Sequence, residues 1–374
     1  GSPSGARWNR KKGNRELGRV AMTFRRLSAR AKFLLESAAL VLLSLSVVFI
    51  LAETAFRVKD ALYPLELSPI VEPQKEYGWQ ARTNFRFVHT RRDAENIPHD
   101  VEIITDENGF RMFGGPATDG CRVLFIGDSY TFAEDATQSE TYYAVAAAKL
   151  GLNAFAYGAQ GFSTLQEYLI LDTWLERINP DLVVLQFCHN DFINNSLELT
   201  RLSARGQCHV DQPYLSPDGG ICYRNPGHGA FSSAASRIPS RLLHSLAYRI
   251  DNRKGIPSRG NSIEHIVESE GLNFPPFVNA IDTTDRLLAM FRERCGDTPL
   301  IVFNVDSREP YASAFNRICA KHSIEQITGI PEAIQTAAHK GVTVFAEDQL
   351  HWTGAGHKIC GELLAEKLQL KCPG

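Results

Sequence analysis

The chain has 374 residues, 44% of them apolar and 22% charged, with a formal net charge of −2. That composition excludes a disordered or collagen-like chain and suits one large domain with insertions or two modest ones. Near-neutrality also excludes a chain-wide basic nucleic-acid binder, although a net charge hides its own distribution.

Residues 1–32 hold ten basic side chains against one acid, Glu16, a head of +9 that leaves −11 on the remainder. Ser37 to Ala52 then runs sixteen residues without a charge, and Phe33, Leu34 and Leu35 extend it past Glu36. At 1.5 Å per residue a helix needs about 20 residues to cross a ~30 Å hydrocarbon core, and residues 33–52 meet that length. The pattern predicts a basic cytoplasmic tail (1–32), a transmembrane anchor (33–55), and a C-terminal body outside the cytoplasm: periplasmic, extracellular or lumenal. A cleaved signal peptide is the first rival, but it lacks a clean small-x-small site. Cleavage after Ala55 puts Glu53 at the −3 position, and cleavage after Ala52 puts Ile50 there. A buried helix of the body is the second rival, and it fits the dense basic flank poorly.

Residues 56–120 read as a juxtamembrane segment with short strands, around Asn84–His89 and Val101–Thr105. From residue 121 to about 370 strands alternate with helices. Arg122–Gly127, Asn153–Tyr157, Asp181–Phe187, Leu300–Val305 and Val342–Phe345 are the expected strands. Helices are expected at Thr141–Leu150, from Ser163/Thr164 to Pro180 with a capping box to Glu167, at Asp285–Glu293, at Tyr311–Lys321, and from Thr353 to about Leu368. Such alternation predicts an α/β domain with a parallel sheet covered on both faces. Residues 192–283 break the rhythm with one clear amphipathic helix, near Ser240–Ile250, and read as an insertion over one end of the sheet.

Eight cysteines lie beyond the apolar segment, with no C-x-x-C pair. An oxidising compartment would permit disulfides, with Cys208–Cys222 the favoured pairing, and Cys188 reads as a buried free thiol.

Ligands of open α/β sheets bind beyond the carboxyl ends of the strands. The residues found there are Gly127-Asp128-Ser129, Gly158, His189-Asn190-Asp191, and Asp348 with His351. Ser129 needs a base, which His351 can supply, and Asp348 can hold the far ring nitrogen. Oxyanion donors are available in the N–H groups of Ser129 and Gly158 and the amide of Asn190. Each piece alone has a bland reading as turn or helix cap; four of them in order, each after a strand, do not. His357, one turn beyond His351, reads as a packing residue.

This constellation resembles the SGNH/GDSL hydrolase family. Gly127-Asp128-Ser129 matches the first block, Gly158 the second, Asn190-Asp191 the third, and Asp348-x-x-His351 the last. Two positions depart from the pattern: Cys188 stands where the third block usually has Gly, and Tyr130 where the name implies Leu. The resemblance implies a three-layer α/β/α fold with five parallel strands in the order 2-1-3-4-5, and metal-independent ester chemistry on Ser129, His351 and Asp348.

The expected function is a membrane-anchored esterase cleaving O-acyl esters, acetyl above all, of a glycan. An O-acyltransferase using the same residues and an idle glycan-binding or envelope-assembly protein are the alternatives. Tyr130, Gln160 and His189 are expected to line the substrate pocket. No Walker loop, dinucleotide fingerprint, zincin helix or EF-hand occurs, so no cofactor or metal is implied. The expected partners are an acylated glycan or lipid ester, the membrane, and envelope polysaccharide machinery, with no nucleic acid.

Overall fold

The structure is a computed structural model and describes residues 5–62, 69–115, 120–203, 210–226, 230–235, 237–252 and 262–372. It divides into two compact units. One comprises residues 1–64 with 235–246, and the other residues 65–234 with 247–374.

The first unit is dominated by one helix, α1 (Gly5–Leu62). Its stretch from Arg30 to Lys59 is long and apolar enough to cross a membrane, and none of it is buried in the protein. A core helix would bury its apolar side chains, whereas Leu40, Leu42, Val48 and Leu51 are each more than 60% exposed.

The second unit opens with two antiparallel pairs, β1 (Val71–Gln74) with β2 (Gly78–Ala81), and β3 (Arg86–Arg92) with β4 (Pro98–Ile104). The main sheet follows, built from β5 (Met112–Phe113), β6 (Arg122–Gly127), β7 (Asn153–Gly158) and β8 (Leu182–Phe187). A separate hairpin, β9 (Gln212–Leu215) with β10 (Ile221–Arg224), precedes the last sheet strands, β11 (Leu300–Asn304) and β12 (Glu325–Ile327). The sheet order is β12-β11-β8-β6-β7-β5. All pairings are parallel except β5 against β7. The five parallel strands therefore take the order 2-1-3-4-5, with a two-residue antiparallel strand added at one edge.

The fifth parallel strand is not the one the sequence predicts. It is β12, while Val342–Phe345 makes no ladder; Phe345 and Ala346 form isolated bridges to Trp352 and Asp93. The bridge to Trp352 closes a tight excursion from which Asp348 and His351 project.

Helices cover both faces. After α1 the described helices are α2 (Ser129–Phe132), α3 (Tyr142–Leu150), α4 (Thr164–Ile178), α5 (Asn190–Asn194), α6 (Leu197–Leu202), α7 (Ala230–Ala235), α8 (Arg241–Asn252), α9 (Ile263–Glu270), α10 (Pro275–Cys295), α11 (Tyr311–Lys321), α12 (Ile330–His339) and α13 (Gly354–Leu368), of which α4, α10 and α11 lie on one face and α3, α12 and α13 on the other. Strand residues alternate between the faces. Leu124, Ile126, Val183 and Leu185 pack with α4, α10 and α11, while Val123, Phe125, Leu182 and Val184 pack with α3, α12 and α13. β8 is buried at all six positions, which is why it reads as an unbroken apolar run. Helix α10 starts ten residues before its predicted start because Pro275 and Pro276 occupy its first turn, where a missing N–H costs nothing. Helix α4 is capped one residue earlier than predicted: Ser163 and Gln166 form the capping box, and Glu167 is buried.

The described disulfide joins Cys121 to Cys372. Cys208 lies outside the described residues, so the expected pairing with Cys222 does too; Cys222 is a free thiol here. Cys188, Cys295, Cys319 and Cys360 are buried free thiols.

Candidate active site

The chain turns sharply at the end of β6. Asp128 caps α2, its carboxylate accepting from the Tyr130 N–H at 3.0 Å, and Ser129 is the first helical residue. The turn is held from below. Gln186 in β8 accepts from the Asp128 N–H at 3.0 Å and from the Thr131 hydroxyl at 2.9 Å. Arg111, fully buried beside β5, donates to the carbonyls of Phe132, Ala133 and Ala136 where α2 ends. At Gly158, opposite Gly127 in the sheet, a Cβ would lie 2.6 Å from both the Asp128 carbonyl and the Phe132 nitrogen. Only glycine lets the turn press this closely on β7.

The second half of the site comes from residues 348–352. Asp348 organises its own loop, its Oδ1 accepting from the N–H groups of Leu350 (2.9 Å) and His351 (3.0 Å). Its Oδ2 lies 2.5 Å from His351 Nδ1. The opposite ring nitrogen, Nε2, lies 2.8 Å from Ser129 Oγ. A carboxylate on Nδ1 fixes that nitrogen as the protonated one, which leaves Nε2 to accept from the serine hydroxyl. Tyr130 ties the two halves together. Its hydroxyl donates to the Leu350 carbonyl at 2.8 Å, and its ring packs against His351 and Trp352 at 5.1 and 4.9 Å between centroids.

Ser129 and His351 open into a cleft of about 220 Å³. Asn190 lines it and donates to Asp128 Oδ2 at 3.1 Å, leaving its second amide hydrogen free to serve another acceptor. Gln160 and Gly161 line it from the loop after β7, and Trp79 from β2; the Trp79 indole donates to the Gln160 carbonyl at 2.8 Å. The remaining wall is Ile193, Asn194, Thr200, Ser203, Gln212 and Glu264, all from the 192–283 range. The Asn194 amide donates to the Gly161 carbonyl at 3.1 Å, so the glycosylation sequon Asn194-Asn195-Ser196 is engaged in the cleft wall.

Two expected pocket residues stand elsewhere. Tyr130 is only 5% exposed and lines an adjoining cavity. Its Leu-like place in the motif is taken up by pinning the histidine loop. His189 is buried in another adjoining cavity, with Nδ1 2.6 Å from Asp306 Oδ2 and the Arg308 guanidinium 2.8 Å away. Cys188 Sγ lies 3.3 Å from the same nitrogen. Cys188, His189 and Asp306 bring three metal-ligating atoms together. A cation there would have to displace Arg308, which already supplies the positive charge at 3.2 Å from Asp306.

No family model matches the chain, and no curated protein matches it. Among solved structures it is similar to the lipase/acylhydrolase from Enterococcus faecalis, at 14% identity over 67% of this chain and 97% of that one, with a TM-score of 0.37. It is similar to the acetylxylan esterase Axe2 from Geobacillus stearothermophilus, at 11% identity over 67% and 94%, with a TM-score of 0.34. A carbohydrate esterase family 2 enzyme from Corynascus thermopiles gives 12% identity over 69% and 68%, with a TM-score of 0.36. At these values the likenesses decide nothing about chemistry, which has to be read from the site.

The electrostatics suit a base at His351. Burial opposes the imidazolium, but the hydrogen bond and charge of Asp348, with Asp128 and Asp135 behind, outweigh it and raise the pKa. Burial pushes Asp348 the other way, yet the His351 contact holds its carboxyl far below the usual range. Beneath the site, burial raises the pKa values of Asp128, Asp191 and Glu167; the charge of Asp128 adds to the shifts of Asp191 and Glu167, and that of Asp191 to Glu167. Burial drops His357 to about 3, so it stays neutral, stacked on Tyr142.

Sequence reasoning missed a support from β3. Arg91 contacts Asp135 at 2.6 Å and Glu134 at 3.1 Å, and Glu134 accepts from the Gln160 amide in the cleft. Nothing local in the alternating strand around Arg91 signals that reach.

Proposed function

We propose that the chain is a membrane-anchored serine esterase acting outside the cytoplasm on O-acyl esters of a glycan, with acetyl as the favoured acyl group. One observation carries the chemistry: Ser129 Oγ, His351 Nε2 and Nδ1, and Asp348 Oδ2 form a continuous hydrogen-bonded line at the base of an open cleft. Ser129 attacks the ester carbonyl while Nε2 takes its proton, and Asp348 stabilises the resulting imidazolium. The N–H groups of Ser129 and Gly158 and the free amide hydrogen of Asn190 receive the oxyanion. Collapse breaks the ester C–O bond, and His351 returns the proton to the departing sugar oxygen. Water, deprotonated by His351, then attacks the acyl group; collapse breaks the bond to Ser129 Oγ, His351 returns the proton to Oγ, and the carboxylic acid leaves.

A glycan alcohol is supported by the amide, hydroxyl and carboxylate groups of Gln160, Asn194, Thr200, Ser203, Gln212 and Glu264 around the cleft. The anchor is supported by the unburied apolar stretch of α1, and the compartment by the Cys121–Cys372 disulfide. The test is release of acetate from an acetylated oligosaccharide and from a small activated ester. The wild type should turn over both, Ser129→Ala neither, and Asn190→Ala should lose about 10²–10³ in kcat. Acetate release that survives Ser129→Ala would refute the reading. Appearance of an acylated sugar acceptor in place of acetate would reassign the same residues to transfer.

A further inference from the structure

The apolar run of α1 ends on Glu53, a charge at a level where hydrocarbon would penalise it. The first unit supplies its partners from a segment far away in sequence. Glu53 accepts from the Ser240 hydroxyl at 2.8 Å and from the N–H groups of Arg241 and Leu242, each at 3.0 Å. Arg57, one turn on, contacts Glu53 at 2.7 Å and donates to the Pro239 carbonyl at 2.7 Å. Glu53 therefore caps the first turn of α8 from outside, supplying acceptors to N–H groups that have none within the helix. Glu53, Arg57 and Lys59 are also the first charges after the uncharged run Ser37–Ala52, so they mark where the span leaves the hydrocarbon. Helix α8 starts at that level.

Its composition suits such a place. Leu242, Leu246 and Ile250 recur every fourth residue, on one face of the helix. Leu246 is 46% and Ile250 49% exposed, and Ile238 just before the helix is 48% exposed. Arg249 borders the stripe on one side. A short helix with an open apolar stripe, a basic residue at its edge and a start fixed at the end of a span has the makings of an interfacial helix.

We infer that α8 lies in the membrane interface beside the end of the span, with Leu246 and Ile250 toward the acyl chains and Arg249 toward anionic headgroups. This rests on the anchor reading above. It gives the chain a second contact with lipid, held in place by Glu53.

The test uses the full chain in vesicles of phosphatidylcholine and phosphatidylglycerol carrying brominated acyl chains. Flotation of the vesicles reports the anchor. Leu246→Trp, read as the fluorescence added over the unsubstituted chain, reports α8. The expected result is co-flotation, with the added emission blue-shifted and quenched by bromine. Combining that reporter with Glu53→Ala should still give flotation, while the added emission loses its quenching and shifts to the red. Co-flotation of the Leu246→Trp chain with an added emission that is unquenched and water-exposed, or buried but untouched by bromine, would overturn the interfacial helix and leave the anchor standing. A chain that does not float would remove both.

Discussion

In the proposed mechanism, two side chains decide whether Ser129 can react. His351 must be neutral to accept the serine proton, and Asp348 raises its pKa. The acid limb of kcat/KM should therefore lie above the ordinary histidine value of about 6.5, with activity lost as pH falls through it. Asp348→Asn should move that limb down and cut kcat by about 10⁴, measured as a pH–rate profile on a small ester. Tyr130 acts at one remove. Its phenol holds Leu350, and through it the histidine loop, so Tyr130→Phe removes one hydrogen bond worth about 0.5–1.5 kcal/mol. We expect kcat to drop by about 3–10-fold with KM unchanged. A rise in KM alone would return Tyr130 to the substrate pocket, where the sequence had put it.

Among the elements, the contact between β7 and the α2 turn is the least tolerant. Gly158→Ala would place a methyl against two backbone atoms at 2.6 Å, neither able to rotate away. The variant should lose about 1–3 kcal/mol in denaturant unfolding and misplace Ser129, so activity should fall even where the protein remains folded. A fully stable, fully active variant would mean that the turn has room to shift. At this scale the sequence was readable where an element was buried on both faces. β6, β7 and β8 are apolar runs ending in turn residues, and the site residues follow directly from their ends. It was misleading at the sheet edge. Glu325-Gln326-Ile327 carries no apolar run, because a three-residue edge strand buries little, whereas Val342–Phe345 has β-branched residues, buries Val344 in the core, and makes an isolated bridge that closes the histidine loop instead of joining the sheet. Trp79, Arg91 and Glu264 reach the site region through tertiary packing that no local pattern records. The sequence pattern brought Ser129, His351 and Asp348 together as the hydrogen bonds do, because the spacing of turn residues after each strand places them at one end of the sheet, while Tyr130 and His189 line adjoining cavities because neighbours in sequence need not share one.

For the whole molecule, the near-zero net charge conceals a basic head and an acidic body on either side of the apolar helix. The Cys121–Cys372 bridge closes the sheet-bearing body almost end to end, across a separation of 251 residues. Replacing both cysteines by serine should cost about 2–4 kcal/mol in unfolding free energy while leaving the serine–histidine geometry, and hence turnover at low temperature, in place. An unchanged unfolding midpoint would show that the bridge contributes little. The central claim is that Ser129 is an activated nucleophile. Its most direct test is the intact mass of the protein after exposure to a serine-directed phosphonate: a single adduct located on Ser129, and none on Ser129→Ala, is the predicted result, whereas an unlabelled wild type, or an adduct that persists without Ser129, would contradict it.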